Sequence, residues 1–150
     1  MATSMDTSGY DKEKGIVLPA TLESIPQVLA FVEGGLEELH CPNAMQMLLV
    51  VAVDEIVSNI AKYGYPHSAG DVTVRLCAGQ DGEFFDICFI DQGIAFNPLC
   101  DTPQFDASAA VAQRRIGGQG VKIVRRIADE VEYERKESNN ILVIRKFAKQ

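Results

Sequence analysis

The apolar residues of this 150-residue chain change their period midway, and that change governs what the chain can fold into. Leu22, Ile25, Leu29, Val32, Leu36 and Leu39 recur at alternating spacings of three and four, which lines one face of a helix. Pro26 fits the first turn of that helix, and Gly34–Gly35 would weaken it. Asn43 can cap a second helix running to about Tyr63. After a loop-like Gly64–Gly70 the period becomes two. Val72, Val74 and Leu76 share one face of Asp71–Ala78, Gly79–Gly82 turns the chain, and Glu83–Asp91 returns as the second strand of a hairpin. Gly120–Glu130 is helical again, with Val121, Val124, Ile127 and Ala128 on one face. Val131–Lys136 and Ile141–Phe147 read as a closing hairpin around Ser138–Asn139–Asn140.

Ile16, Val17 and Leu18 mark a short strand ahead of the first helix, and the polar Met1–Lys14 reads as a frayed tail. The expected organisation is therefore a tail over 1–14 and one domain over 15–150, a length that hides roughly 70% of the unfolded chain's surface. Its order is strand, helix, helix, strand, strand, a long polar connection, helix, strand, strand. That order predicts an α+β two-layer sandwich, with one mixed, mostly antiparallel sheet and the helices on one face.

Composition narrows the function classes. A net charge of −7 argues against sequence-independent nucleic-acid binding, which needs clustered cations to displace counterions. Any phosphate site must be made locally, from backbone N–H groups, a metal ion and a few cations. Cys41, Cys77, Cys88 and Cys100 have no CxxC spacing and only His40 and His67 beside them, so neither a zinc site nor a disulfide framework is expected. Met1–Gly15 carries no apolar leader, and the apolar run around Met45–Val53 is far short of a membrane span. The reading is a reduced, cytoplasmic protein without membrane contact.

Three segments could carry chemistry. On the second helix, steps of about 100° per residue place Asn59 roughly 40° from Glu55, both at the margin of the apolar arc. A carboxylate and an amide one turn apart over a packed face need partners. Water and a neighbouring loop could serve. Alternatively, Asn59 supplies an oxygen to Mg²⁺, while Glu55 deprotonates or orients a hydroxyl or holds a metal-bound water. Asp91 ends an apolar strand, and Gly93 permits a tight course just after it. Such an Asp could accept a hydrogen bond from an exocyclic amine, or could simply start a common Asp-x-Gly turn. Gly117–Gly118–Gln119–Gly120 opens a helix, where backbone N–H groups can turn to an anion, flanked by Arg114, Arg115 and Lys122. It completes neither GxxxxGK[ST] nor a strand-led dinucleotide fingerprint.

The ordered combination says more than its parts. Glu-x-x-x-Asn on a helix, Asp-x-Gly after a strand and Gly-x-Gly opening a helix resemble the Bergerat (GHKL) ATPase superfamily. The detailed wording is most similar to the bacterial anti-sigma-factor serine kinases. Val53–Asn59 continuing to Tyr63-Gly64-Tyr65 matches their N box, and Asp91-Gln92-Gly93 with Phe96-Asn97-Pro98 matches their first glycine box. Gly117–Val121 through Ala128-Asp129-Glu130-Val131 to Tyr133 matches their second, so the resemblance covers roughly Ile16–Lys146.

The resemblance implies ATP and Mg²⁺ as cofactors. Asn59 would bind the metal, Glu55 would be the catalytic base, and Asp91 would recognise adenine with Gly93 beside the base. It also implies nucleotide contacts at Lys62, Phe96 and Arg115. Gly118 and Gly120 would line the phosphates, Gly117, Gln119 and Val121 would also contact the nucleotide, and 97–116 would be the ATP lid. Ala95 departs from the further glycine of many relatives and would stiffen the lid's hinge. Such kinases phosphorylate a serine of a small anti-anti-sigma (STAS-type) protein and silence a sigma factor, often as homodimers. A non-catalytic ATP-binding switch is the competing expectation. A histidine-kinase fragment fits less well, because nothing here supplies a long dimerisation helix with a phosphoacceptor His.

Overall fold

Strand β1 (Tyr10–Pro19) leads into α1 (Ile25–Glu38) and α2 (Asn43–Asn59), and the chain then returns as β2 (Asp71–Gly79) and β3 (Phe84–Asp91). A helical stretch at 122–127 (α3) precedes β4 (Glu130–Lys136) and β5 (Asn139–Phe147). These elements come from a computed structural model that describes residues 9–95 and 122–148. The five strands form one sheet in the order β1-β2-β3-β5-β4, and every pairing is antiparallel. The mostly antiparallel sheet expected from the sequence is present, but the parallel pair implied by a mixed sheet is not found among the described residues. Two helices between β1 and β2 carry the chain across the sheet twice, so β2 runs back along β1. Strands β3 and β4 do run the same way, but β5 lies between them.

The helices cover one face. Val28, Val32 and Leu36 of α1 and Leu49, Val53 and Val57 of α2 pack on Val72, Val74 and Leu76 of β2, Phe85, Ile87 and Phe89 of β3, and Leu142 and Ile144 of β5. Full burial of a side chain of this kind stabilises by about 1.5–3 kcal/mol, so this face dominates folding. By length and composition Asn43–Gly64 could cross a membrane; Met45, Leu49, Ala52, Val53, Ile56 and Val57 pack into the core, while Met47, Leu48 and Val51 of the same helix are exposed. Gly35 sits where α1 crosses the sheet. A Cβ there would lie 2.4 Å from Leu76 Cδ1, so the residue that weakens the helix also lets it pack.

The other sheet face holds Asp86, which is fully buried. Arg145 grips it in a two-pronged pair, Nε to Oδ1 at 2.7 Å and Nη2 to Oδ2 at 2.8 Å, and lies 3.8 Å above the Phe84 ring. The Tyr10 hydroxyl donates to Oδ2 at 2.6 Å. That bond explains why β1 starts at Tyr10, inside the stretch expected to be tail: residues 10–14 look polar in sequence but complete the sheet.

Local boundaries shift for physical reasons. Pro42, not Asn43, stands at the start of α2, and Asn43 is its first residue with no side-chain cap. Glu130 opens β4 rather than ending α3. The last hairpin turns on Glu137 and Ser138, with φ of 52° and 68°, because Lys136 already pairs with Asn139. A two-residue turn with both residues left-handed matches the twist of its strands. Asn139 and Asn140 thus belong to β5 and not to the turn.

Candidate nucleotide-binding site

The site forms where α2 and the C-terminal end of β3 meet. Glu55 and Asn59 are half-buried on α2, and neither makes a hydrogen bond with another described side chain. The neighbouring Asp54 accepts from Ser58 at 3.1 Å, so the exposed side of the helix pairs within itself. Beyond Asn59 the helix widens into one π turn, Ile60–Gly64, with Lys62 exposed. Such turns recur at functional sites. Gly64 then meets the loop after β3, where Ile94 N donates to Gly64 O at 2.8 Å. The helix bearing Glu55 and Asn59 and the loop bearing Asp91 and Gly93 are thereby joined through backbone.

Asp91 is 5% exposed, and its register opposite Val72 and Asn140 points it to the helical face. Its Oδ1 accepts from Gly93 N at 2.8 Å and from Asn140 Nδ2 at 2.9 Å. No described residue donates to Oδ2. Burial pushes the carboxyl above its usual range, while Asn140, the Gly93 N–H and Arg135 pull it back. A buried carboxylate oxygen without a donor is the expected signature of a place for a ligand's N–H.

A second ring of groups holds this carboxylate. Asn140 Oδ1 accepts from the Tyr133 hydroxyl at 2.5 Å and from Arg135 Nη1 at 3.1 Å, and its Nδ2 also reaches Ile94 O at 2.8 Å. Arg135 Nη1 donates to Gly93 O at 2.8 Å. The Tyr65 hydroxyl accepts from Gln92 N at 2.8 Å and donates to Asp71 O at 2.7 Å, and burial raises its pKa. Gln92 Nε2 donates to Asn139 Oδ1 at 2.7 Å. Tyr65, Tyr133, Arg135 and Asn140 were not foreseen as site residues. The available signal was the hairpin count: a two-residue turn after Lys136 puts Asn140 on the same face as Asp91.

The structure thus gathers Asp91, Gly93 and the end of the Glu55–Asn59–Lys62 helix. Phe96, Arg115, Gly117, Gly118, Gln119, Gly120 and Val121, and the expected lid over 97–116, lie outside the described residues. Among those described, no group of three or more His, Cys, Asp or Glu side chains could hold a metal ion. A cation here would need phosphate oxygens and water alongside the Asn59 carbonyl oxygen, a set that suits Mg²⁺.

Residues 18–146 match the model of the histidine kinase-like ATPase domain, and the chain belongs to that family. Among solved structures it is similar to the RsbU and RsbW domains of Rv1364c from Mycobacterium tuberculosis, with TM-score 0.65 and 18% identity over 91% of this chain. It spans 32% of that longer chain. It is also similar to a chain of the SiaB–SiaC complex from Pseudomonas aeruginosa, with TM-score 0.63 and 16% identity, covering 95% of this chain and 93% of that one. At these identities the likeness establishes the fold, the α+β architecture of this ATPase family. No curated protein sequence matches the chain.

Proposed function

We propose that the chain is an ATP-dependent regulatory protein of the anti-sigma type, with serine-kinase activity toward a small STAS-type antagonist protein. The observation that carries this reading is the buried Asp91 with an undonated Oδ2, joined through Gly64 to the helix that presents Glu55 and Asn59. In a chain of the ATPase family, this set fits adenine at Asp91 and phosphates toward α2. Asn59 would give its carbonyl oxygen to Mg²⁺, which neutralises phosphate charge when bound. Lys62 would face the phosphates, as would the N–H groups of Gly117–Gly120 on the sequence argument. Glu55 would take the proton of the acceptor serine as its oxygen attacks. The likeness to a chain with RsbU and RsbW domains, and to a chain solved within the SiaB–SiaC complex, supports a switch that works on a partner. The same reading implies a cytoplasmic homodimer that also binds a sigma factor.

The test is incubation of the purified chain with Mg-ATP and a partner protein captured from its native cell. Phosphoserine on the partner is expected, and its absence despite tight nucleotide binding would sink the kinase assignment. A second reading has its own observation: no described side chain orients Glu55. In that reading ATP only changes affinity for the partner. Glu55→Ala would then leave partner regulation intact, whereas the kinase reading expects regulation to fail with ATP affinity unchanged.

A further inference from the structure

A helix face turned to water is ordinarily polar. On α2 it is polar only where it carries the site. Met47, Leu48 and Val51 are 72%, 44% and 48% exposed, and Ala44 is exposed beside them. At about 100° per residue, Leu48 lies roughly 20° to one side of Glu55 and Val51 roughly 40° to the other. Met47 stands about 80° round, on the Val51 side. At about 1.5 Å per residue, Val51 is about 6 Å from Glu55 along the axis and Leu48 about 10 Å. Single exposed apolar residues are normal, but three side by side on one face form a patch.

The order along the helix gives that patch a direction. The C-terminal end of α2 leads through Gly64 to Ile94, next to Asp91 and Gly93. With a base at Asp91 and phosphates running back over Asn59 toward Glu55, an acceptor serine has to arrive from the far side of Glu55. Val51, Leu48 and Met47 stand there.

Charge selects what can lie on the patch. Neither α1 nor α2 contains Lys or Arg, while Glu33, Glu37 and Asp54 are exposed on this helical layer. Glu37 is tied to α2 by a bond from Gln46 Nε2 at 2.9 Å. The first cation after α2 begins is Lys62, beyond Asn59 at the opposite end from the patch. An anionic lipid surface is drawn to Lys and Arg and finds none here. A second copy laid on the same face by two-fold symmetry would set these carboxylates against their own kind. The complement of this face is a protein surface with an apolar centre and a basic rim.

We infer that Met47, Leu48 and Val51 form the docking face for the serine-bearing protein, which meets them with an apolar, basic-rimmed patch about 6–10 Å from its acceptor serine. The inference rests on the kinase reading above and adds to it the surface on which the partner is held.

The test uses the STAS-type protein captured with the wild-type chain, identified by mass spectrometry, purified, and titrated calorimetrically into the full chain with Mg-ATP. Met47→Gln combined with Leu48→Gln keeps side-chain length and helix propensity, and Val51→Thr keeps shape. The double glutamine variant is expected to bind the partner roughly tenfold or more weakly, with ATP affinity and melting temperature unchanged. In the phosphorylation assay KM for the partner should rise while kcat stays the same. Val17→Thr and Leu22→Gln remove apolar groups exposed elsewhere and should change neither constant. Unchanged partner affinity in the stripe variants overturns the docking face even where phosphoserine forms. Weakened binding without phosphoserine supports the face and sinks the kinase assignment, so the two readings fail separately. If the stripe variants keep the partner but lose binding to phosphatidylcholine vesicles, or lose a sedimenting dimer, the face belongs to a membrane or a second copy and the inference is overturned. Recovery of no STAS-type partner sinks both readings.

Discussion

Gly93 lies against the carbonyl of Gly64 so closely that a Cβ on Gly93 would sit 2.3 Å from that oxygen. The same oxygen accepts from Ile94 N at 2.8 Å. The glycine that the sequence suggested would make room for a base is thus first required by the chain itself, to seat the loop after β3 on the end of the helical segment. Gly93→Ala must push two backbones apart. It is expected to cost about 1–3 kcal/mol in chemical denaturation and to weaken ATP binding at least tenfold. An alanine variant with wild-type stability would show that the two backbones separate freely.

Asp91 gives a pH signature. Burial holds its carboxyl above the ordinary value of 3.8. A raised folded value means that the native state keeps its proton longer than the unfolded chain does. The native state is then favoured most below the unfolded value, and that advantage is lost as pH rises through the folded one. Asp91→Asn removes this titration. Its melting temperature relative to wild type is expected to climb as pH rises from about 3.5 upward, levelling once Asp91 is ionised. The same variant should lose ATP affinity, because an amide NH₂ at the Oδ2 position opposes the N6 donor. A melting difference that does not change with pH would contradict the assigned burial.

The adjacent glycines of α1 should behave oppositely. Gly34 is exposed with nothing within 4 Å of an added Cβ, so Gly34→Ala should stabilise by about 0.5–1 kcal/mol through helix propensity. Gly35 faces Leu76 in the core, and Gly35→Ala should destabilise by about 1–3 kcal/mol through overpacking. Urea midpoints of the two variants, at unchanged slope, check the contrast.

Three thiols should be silent in the native state. Burial pushes Cys41, Cys77 and Cys88 up to about 12, and each side chain is buried in the sheet or beside the helices. At pH 8 almost no thiolate forms there, so a disulfide reagent should modify these three only after unfolding. Peptide mapping of the labelled sites would decide, and rapid native labelling of Cys77 or Cys88 would count against the burial described.

Helices and hairpins were legible because one-sided burial writes its own period into the chain. Leu22–Leu39 announced α1, although its first turn is a tighter 3-10 segment, Leu22–Ser24. Val72, Val74 and Leu76 announced β2. The helical steps from Glu55 to Asn59 likewise placed both residues at the edge of the packed face, where they stand half-buried. The terminal residues of elements were less legible. Tyr10 belongs to a strand through a bond to Asp86, which is far away in sequence, and no local pattern carries that information.

By itself, then, the sequence determined the kinds and order of the elements and put Asp91 at a strand end, since periodicity and turn chemistry act within a few residues. Only the tertiary structure decided what surrounds Asp91. Its partners Asn140, Tyr133 and Arg135 arrive through the register of β3, β5 and β4, and a one-residue slip would turn all of them to the other face. That register depends on a two-residue turn at Glu137–Ser138, and the chain holds both residues left-handed there despite the local cost. Burial across the sheet outweighs that cost, and a preference summed over several strands is not written in any one of them.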